Sequence, residues 1–154
     1  MIRSFTAAPL TAEDIAVAFP LVHAALPEID LAMWRRFARG IVDLPSPHPA
    51  GGACLRNEGG YLCGVLTYRI ERNLRHGTAL NVDLFAALDV TGEEAATRAL
   101  LQVAEEKARD LHCTAIRVTI EKGGVTLARR FRTSGYRAEV TIFSKPLDDE
   151  PAQA

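Results

Sequence analysis

LNVDLFAALDVTGEEAATRALLQVAEEKARDLHCTAIRVTI, Leu80–Ile120, decides the architecture, because its hydrophobic period changes twice along its length. LNVDLFAAL reads as a strand. From about Glu93 to Leu111 the period becomes helical, placing Leu100, Leu101, Ala104, Ala108 and Leu111 on one face, and TAIRVTI then returns to a strand. A helix of this length between two strands is a parallel crossover. Thr91 followed by Glu94 has the form of a capping box, with side chains placed to satisfy amides that the first helical turn leaves unpaired. Those amides face the space beyond the strand's carboxyl end, where anions such as phosphate commonly bind.

Upstream, residues 3–6 read as a short first strand, after which Thr11 and Asp14 open a helix whose apolar face includes Ile15, Ala18, Phe19 and Val22, with Pro20 expected to kink or shorten it. Asp30 caps a second helix carrying Leu31, Trp34, Phe37 or Ala38, and Ile41 on one face. LPSPHPAGG, residues 44–52, is a proline- and glycine-rich loop. ACLRN, YLCGVLTYRIERN and TALNVDLFAAL, separated by turns at EGG and LRHG, form an antiparallel meander. Downstream of the crossover, Gly123 and Gly124 precede a short helix with Leu127, Ala128 and Phe131; Gly135 stops it, and YRAEVTIFSKPL is expected as a final strand. The class is therefore α/β (α+β), a mixed and mainly antiparallel twisted sheet flanked by about four helices.

Bulk properties narrow the function. At 154 residues and 48% hydrophobic composition, one domain over 1–147 is expected, with 148–154 as a mobile tail. The 18 basic and 19 acidic residues, giving a net charge of −1 with no block of either sign, argue against a nucleic-acid binder. Pro9, Glu13 and Asp14 interrupt the N-terminal segment before an apolar run reaches signal or membrane length, so the expectation is a cytoplasmic protein without a membrane partner. Three cysteines, Cys54, Cys63 and Cys113, lack metal-ligand spacing and read as buried thiols. His23, His48, His76 and His112 make no metal-ligand arrangement, so no metal is expected.

The element order, with LARRFRTSGY as a short helix ending in a Gly-aromatic pair and SKPL as a lysine-containing terminal segment, resembles the GNAT (Gcn5-related N-acetyltransferase) family over most of the chain. The resemblance implies a splayed central strand pair, acetyl-CoA as cosubstrate, and transfer of its acetyl group to a primary amine of a small molecule or peptide. By resemblance, Phe85, Ala86 and Ala87 pair with the pantetheine arm, and Thr91, Gly92, Glu93, Glu94, Ala95, Ala96 and Thr97 cover the pyrophosphate loop and helix start. The family's general-base glutamate aligns with Asn81, which cannot act as an ordinary base but is placed to orient a water; Asp83, on the same side of the strand, reads either as the base candidate or as a solvated strand residue or buried salt-bridge partner. Phe131 stands where the family has a proton-donating tyrosine and reads as a packing residue toward the cofactor or core. Two functions remain open from sequence: an N-acetyltransferase, or a catalytically inactive GNAT-fold binding protein. An exposed edge strand would support a homodimer.

Overall fold

The meander and the crossover build a sheet whose spatial order is the order of the chain. In the computed structural model, which describes residues 4–44, 49–89 and 94–147, β1 (Thr6–Pro9), β2 (Ala50–Arg56), β3 (Leu62–Asn73), β4 (Gly77–Ala87) and β5 (Ala115–Val118) lie side by side as β1-β2-β3-β4-β5. The first four strands pair antiparallel, and β5 joins β4 in parallel. The parallel join follows from α3 (Ala95–Asp110), the crossover between them. Contact clustering divides the chain into two compact units: residues 1–119, which hold the sheet with α1 (Asp14–Ala25), α2 (Leu31–Val42) and α3, and residues 120–154, which hold α4 (Val125–Thr133).

Capping places the first two helices. The Asp14 carboxylate accepts hydrogen bonds from the Thr11 amide at 2.9 Å and the Thr11 hydroxyl at 2.8 Å, while Arg56 on β2 donates to its other oxygen at 2.8 Å. Asp30 accepts from the Met33 amide at 2.8 Å, as its position before an amphipathic run requires. The buried Trp34 indole then donates to the Ile15 carbonyl at 2.7 Å, tying α2 to α1. Together Ile15, Ala18, Val22, Trp34 and Ala38 pack with Cys54, Val65, Leu84 and Ala86 of the sheet. On the other face a Cβ at Gly64 would lie 3.1 Å from Leu55 and 3.4 Å from Leu100, so this glycine lets α3 sit close to the strands.

Several sequence boundaries move. The first strand lies at Thr6–Pro9 rather than 3–6, because its partners are Ala53–Arg56 of β2. β2 itself begins at Ala50, drawing Gly51 and Gly52 out of the expected loop; a Cβ at Gly51 would meet the Tyr68 hydroxyl at 2.5 Å, so the bare backbone admits that ring. Pro20 lies inside α1, which continues to Ala25. α3 starts at Ala95, two residues after the expected Glu93. Phe37 is 48% exposed, leaving Trp34 and Ala38 as the buried residues of α2. Residues 136–147, in the second unit, form no strand among the described residues, in contrast to their sequence pattern, since β propensity is decided by context as much as by the segment. Residues 148–154 lie outside the described residues.

The Asp14 cluster yields a pH-dependent test. Burial alone would raise the Asp14 carboxyl, but the Arg56 guanidinium and the two Thr11 donors outweigh it and hold the group below its ordinary value. A depressed folded-state value means that the stabilisation is complete above the unfolded-chain value of about 3.9 and drains as pH falls through the folded-state value. Asp14→Ala is therefore expected to lose about 1–3 kcal/mol at neutral pH. In denaturant melts, the gap between variant and parent should narrow under acid conditions; a gap independent of pH would contradict the assignment.

Candidate functional site

The site begins with one extra residue. Thr67 pairs with Leu84 and the next β3 residue, Tyr68, pairs with Val82, so Asp83 has no opposite number and forms a β-bulge in β4. Bulges bend and twist the strand that carries them. β5 follows β4 only as far as the pairing of Val118 with Val82, closed by a hydrogen bond from the Thr119 amide to the Val82 carbonyl at 3.0 Å. Residues 83–87 of β4 thus run on past the end of β5. The Leu88 amide donates to the Cys63 carbonyl at 2.8 Å, which sets the phase of the β3–β4 ladder: Leu84 and Ala86 direct their peptide groups at β3, and Phe85 and Ala87 direct theirs toward the opposite edge.

Around the bulge lies a polar group of side chains. Arg69 donates from Nε to Asp83 at 2.8 Å and from Nη2 to its other oxygen at 3.2 Å, and a third nitrogen pairs with Glu71. Asp83 thus has both carboxylate oxygens engaged, and Arg69 is raised above its ordinary value by the hydrogen bond to Asp83, against a smaller opposing effect of burial. Asn81 lies opposite Arg69 and is 7% exposed; its Nδ2 has no hydrogen-bond partner among the described residues. The same holds for Oγ1 of Thr67, on the same face of β3 as Arg69. These two buried polar atoms lie beside the Arg69–Asp83 ion pair.

At the start of α3 the Thr91 half of the expected capping box lies outside the described residues. Glu94 is the N-cap residue, in the left-handed region at φ 61°, and its side chain makes no capping hydrogen bond. Asp89, at the end of β4, does the capping: Oδ1 accepts from the Ala96 amide at 2.7 Å and Oδ2 from the Thr97 hydroxyl at 2.6 Å. A carboxylate from the chain itself therefore occupies part of the anion-attracting helix end. Cys63, Leu88, Asp89 and Ala96 share a cavity of about 250 Å³ with Ser4, Phe5 and the Asn57–Gly59 turn. Thr91, Gly92 and Glu93 lie outside the described residues.

Sequence reading placed Asn81, Asp83 and Phe85–Ala87 on one strand, and the structure gathers them at the bulge and the edge beyond it. It missed Arg69, Thr67 and Asp89. Arg69 and Asp83 are opposite charges on neighbouring strands, a signal readable once the hairpin register is known. Phe131 belongs to the second unit, is buried, and meets Tyr136 edge-to-face with ring centroids 5.1 Å apart. The cysteines are poor nucleophiles: burial pushes Cys54 up to about 12 and also raises Cys63 and Cys113. Among the described residues there is no cluster able to hold a metal ion, and no helix is long and apolar enough to cross a membrane.

No protein-family model matches the sequence, and no curated protein matches it as a relative. Solved structures do match. An aminoglycoside N-acetyltransferase in complex with CoA superposes with a TM-score of 0.78 at 9% identity, over 95% of this chain and 97% of that one. An aminoglycoside 6'-N-acetyltransferase from Acinetobacter baumannii gives 0.76 at 11% identity, over 94% and 99%. A ribosomal-protein-alanine N-acetyltransferase from Brucella melitensis biovar Abortus 2308 gives 0.71 at 16% identity, over 94% and 100%. The chain has a GNAT fold. At these identities the likeness concerns the fold.

Asp89 gives a direct test of the revised cap. Asp89→Ala removes the acceptor for the Ala96 amide and the Thr97 hydroxyl and is expected to cost about 0.5–2 kcal/mol in denaturant melts. Glu94→Ala should leave that capping interaction in place. An Asp89→Ala protein as stable as its parent would show that the first turn of α3 is satisfied in another way.

Proposed function

We propose that the protein is an acyl-CoA-dependent N-acyltransferase, carrying an acetyl group from acetyl-CoA to a primary amine of a small molecule or peptide. The observation that carries this reading is the run of β4 past the end of β5, which turns the Ala87 peptide group toward an edge that β5 does not reach. A pantetheine arm bears amides able to pair along such an edge. The residues at α3 fit the phosphates less well, because Asp89 already accepts from the Ala96 amide and the Thr97 hydroxyl. In this reading phosphate contacts come from backbone groups at the start of α3, including Ala95.

Transfer needs a neutral amine, attack on the thioester carbonyl, and a proton for the departing thiolate. Asp83 is the base in this proposal. Asn81 donates through Nδ2 to a water that positions the amine, while Arg69 orients the Asp83 carboxylate. A phenylalanine at position 131 has no proton to give, so the thiolate takes its proton from solvent. A second reading, a GNAT-fold binding protein without turnover, is favoured by the engagement of both Asp83 oxygens by Arg69.

Calorimetry with acetyl-CoA followed by turnover assays against a panel of amines separates the readings. Acetyl-CoA is expected to bind, and with an accepted amine Asp83→Asn should lower kcat by about 100-fold to 10,000-fold while leaving acetyl-CoA affinity nearly unchanged. Binding without turnover on any amine supports the second reading. Unchanged kcat in a folded Asp83→Asn protein removes Asp83 from the mechanism, and no binding at millimolar acetyl-CoA rejects the acyltransferase proposal.

A further inference from the structure

The face of β3 that carries Arg69 also carries Glu71, two residues on, and the two side chains are joined by an ion pair from Nη1. Ladder register sets what stands across from them. Opposite Arg69 on β4 is Asn81, and opposite Glu71 is Ala79, whose methyl offers no charge. Because β3 and β4 run antiparallel, Glu71 lies on one side of Arg69 along the ladder and Asp83, beyond the Tyr68–Val82 pair, lies on the other. One guanidinium is therefore held between two carboxylates. Its contacts with Asp83 are unequal: Nε reaches Oδ2 at 2.8 Å, whereas Nη2 stands 3.2 Å from Oδ1. A charge-assisted hydrogen bond of this kind usually closes to about 2.7–2.9 Å, so Oδ1 is the loosely held oxygen.

We propose that Glu71 is a positioning residue for the transfer: by holding Nη1 it draws the guanidinium away from Oδ1 and leaves that oxygen to accept the proton of the acceptor amine. This role rests on the acyltransferase reading and resolves a difficulty within it, the engagement of both Asp83 oxygens by Arg69. In the step, an N–H bond of the ammonium breaks, its electron pair stays on nitrogen for attack on the thioester carbonyl, and the proton goes to Oδ1. Nε keeps Oδ2, so the carboxylate presents the same edge before and after. Both ion pairs are partly exposed, and contacts of that kind are weak enough for a bound amine to compete with the longer one. Without Glu71, Arg69 is free to close its fork over both oxygens in the parallel geometry that guanidinium and carboxylate favour. Glu71 thus acts on the reaction through Arg69, without touching the substrate.

Steady-state kinetics with acetyl-CoA and an accepted amine, on Glu71→Gln, Arg69→Met and the double variant, test this role. Glu71→Gln should lower kcat by about 10-fold, less than Asp83→Asn because the base remains, with acetyl-CoA affinity unchanged. In the Arg69→Met protein, adding Glu71→Gln should have no further effect, as a residue acting only through Arg69 requires. NMR of the guanidinium groups in isotope-labelled parent protein checks the geometry without relying on any variant: Nη1 and Nη2 of Arg69, held by different carboxylates, should give separate signals. A parent that binds acetyl-CoA and turns over no amine overturns the acyltransferase reading and this role with it. Turnover in the parent with unchanged kcat in a folded Glu71→Gln protein, an effect of Glu71→Gln that persists in the Arg69→Met background, or a single averaged Arg69 signal would overturn the role of Glu71 alone.

Discussion

A single unpaired residue in β4 sets the geometry on which the site depends. Asp83 is accommodated as a bulge between the Thr67–Leu84 and Tyr68–Val82 pairs, and β5 stops following β4 at Val82, immediately before it. A bulge concentrates twist, so the half of β4 beyond it leaves the direction that β5 shares with the first half. The cost is one interrupted ladder position. The bidentate contact from Arg69 offsets part of that cost by fixing the bulged side chain to β3. Strand geometry and site electrostatics are therefore coupled through one ion pair, although Arg69 and Asp83 remain partly solvated and the pair contributes orientation more than stability.

The rest of the first unit holds that strand in place from both faces. α1 and α2, joined by the Trp34–Ile15 hydrogen bond, cover Val65, Leu84 and Ala86, while α3 approaches the opposite face over Gly64. Leu80, Val82 and Leu100 are fully or nearly fully buried, so the strand is anchored before the bulge and the crossover helix is anchored behind it. Against this apolar frame, the unpartnered Nδ2 of Asn81 and Oγ1 of Thr67 stand out. Packing could have been completed with valine at either position.

Much of this organisation was legible in the sequence because it is local. Asp30 before an amphipathic run, the Thr11–Asp14 pair and the change of period on either side of α3 each reflect interactions within a few residues. The bulge was not legible, since LNVDLF keeps its apolar alternation whether or not Asp83 has a partner on β3. The part played by Asp89 at the start of α3 was not legible for a related reason: it is brought to Ala96 from the end of β4, outside the local spacing of Thr91 and Glu94. At 136–147 the local pattern reads as strand-forming and no strand is assigned there, because β propensity depends on context beyond the segment. Asn81 and Asp83 are candidates through the family resemblance and their shared strand, whereas Arg69 emerged only with the register.

The central claim is that the edge of β4 beyond the bulge receives the acyl-CoA arm. Residue-resolved amide hydrogen exchange, measured with and without saturating acetyl-CoA, addresses that edge directly. The account expects slowed exchange at Ala87, with the Ala86 amide, directed at β3, changing little. Unchanged exchange at Ala87 in a protein that binds acetyl-CoA, or protection confined to another part of the sheet, would contradict it.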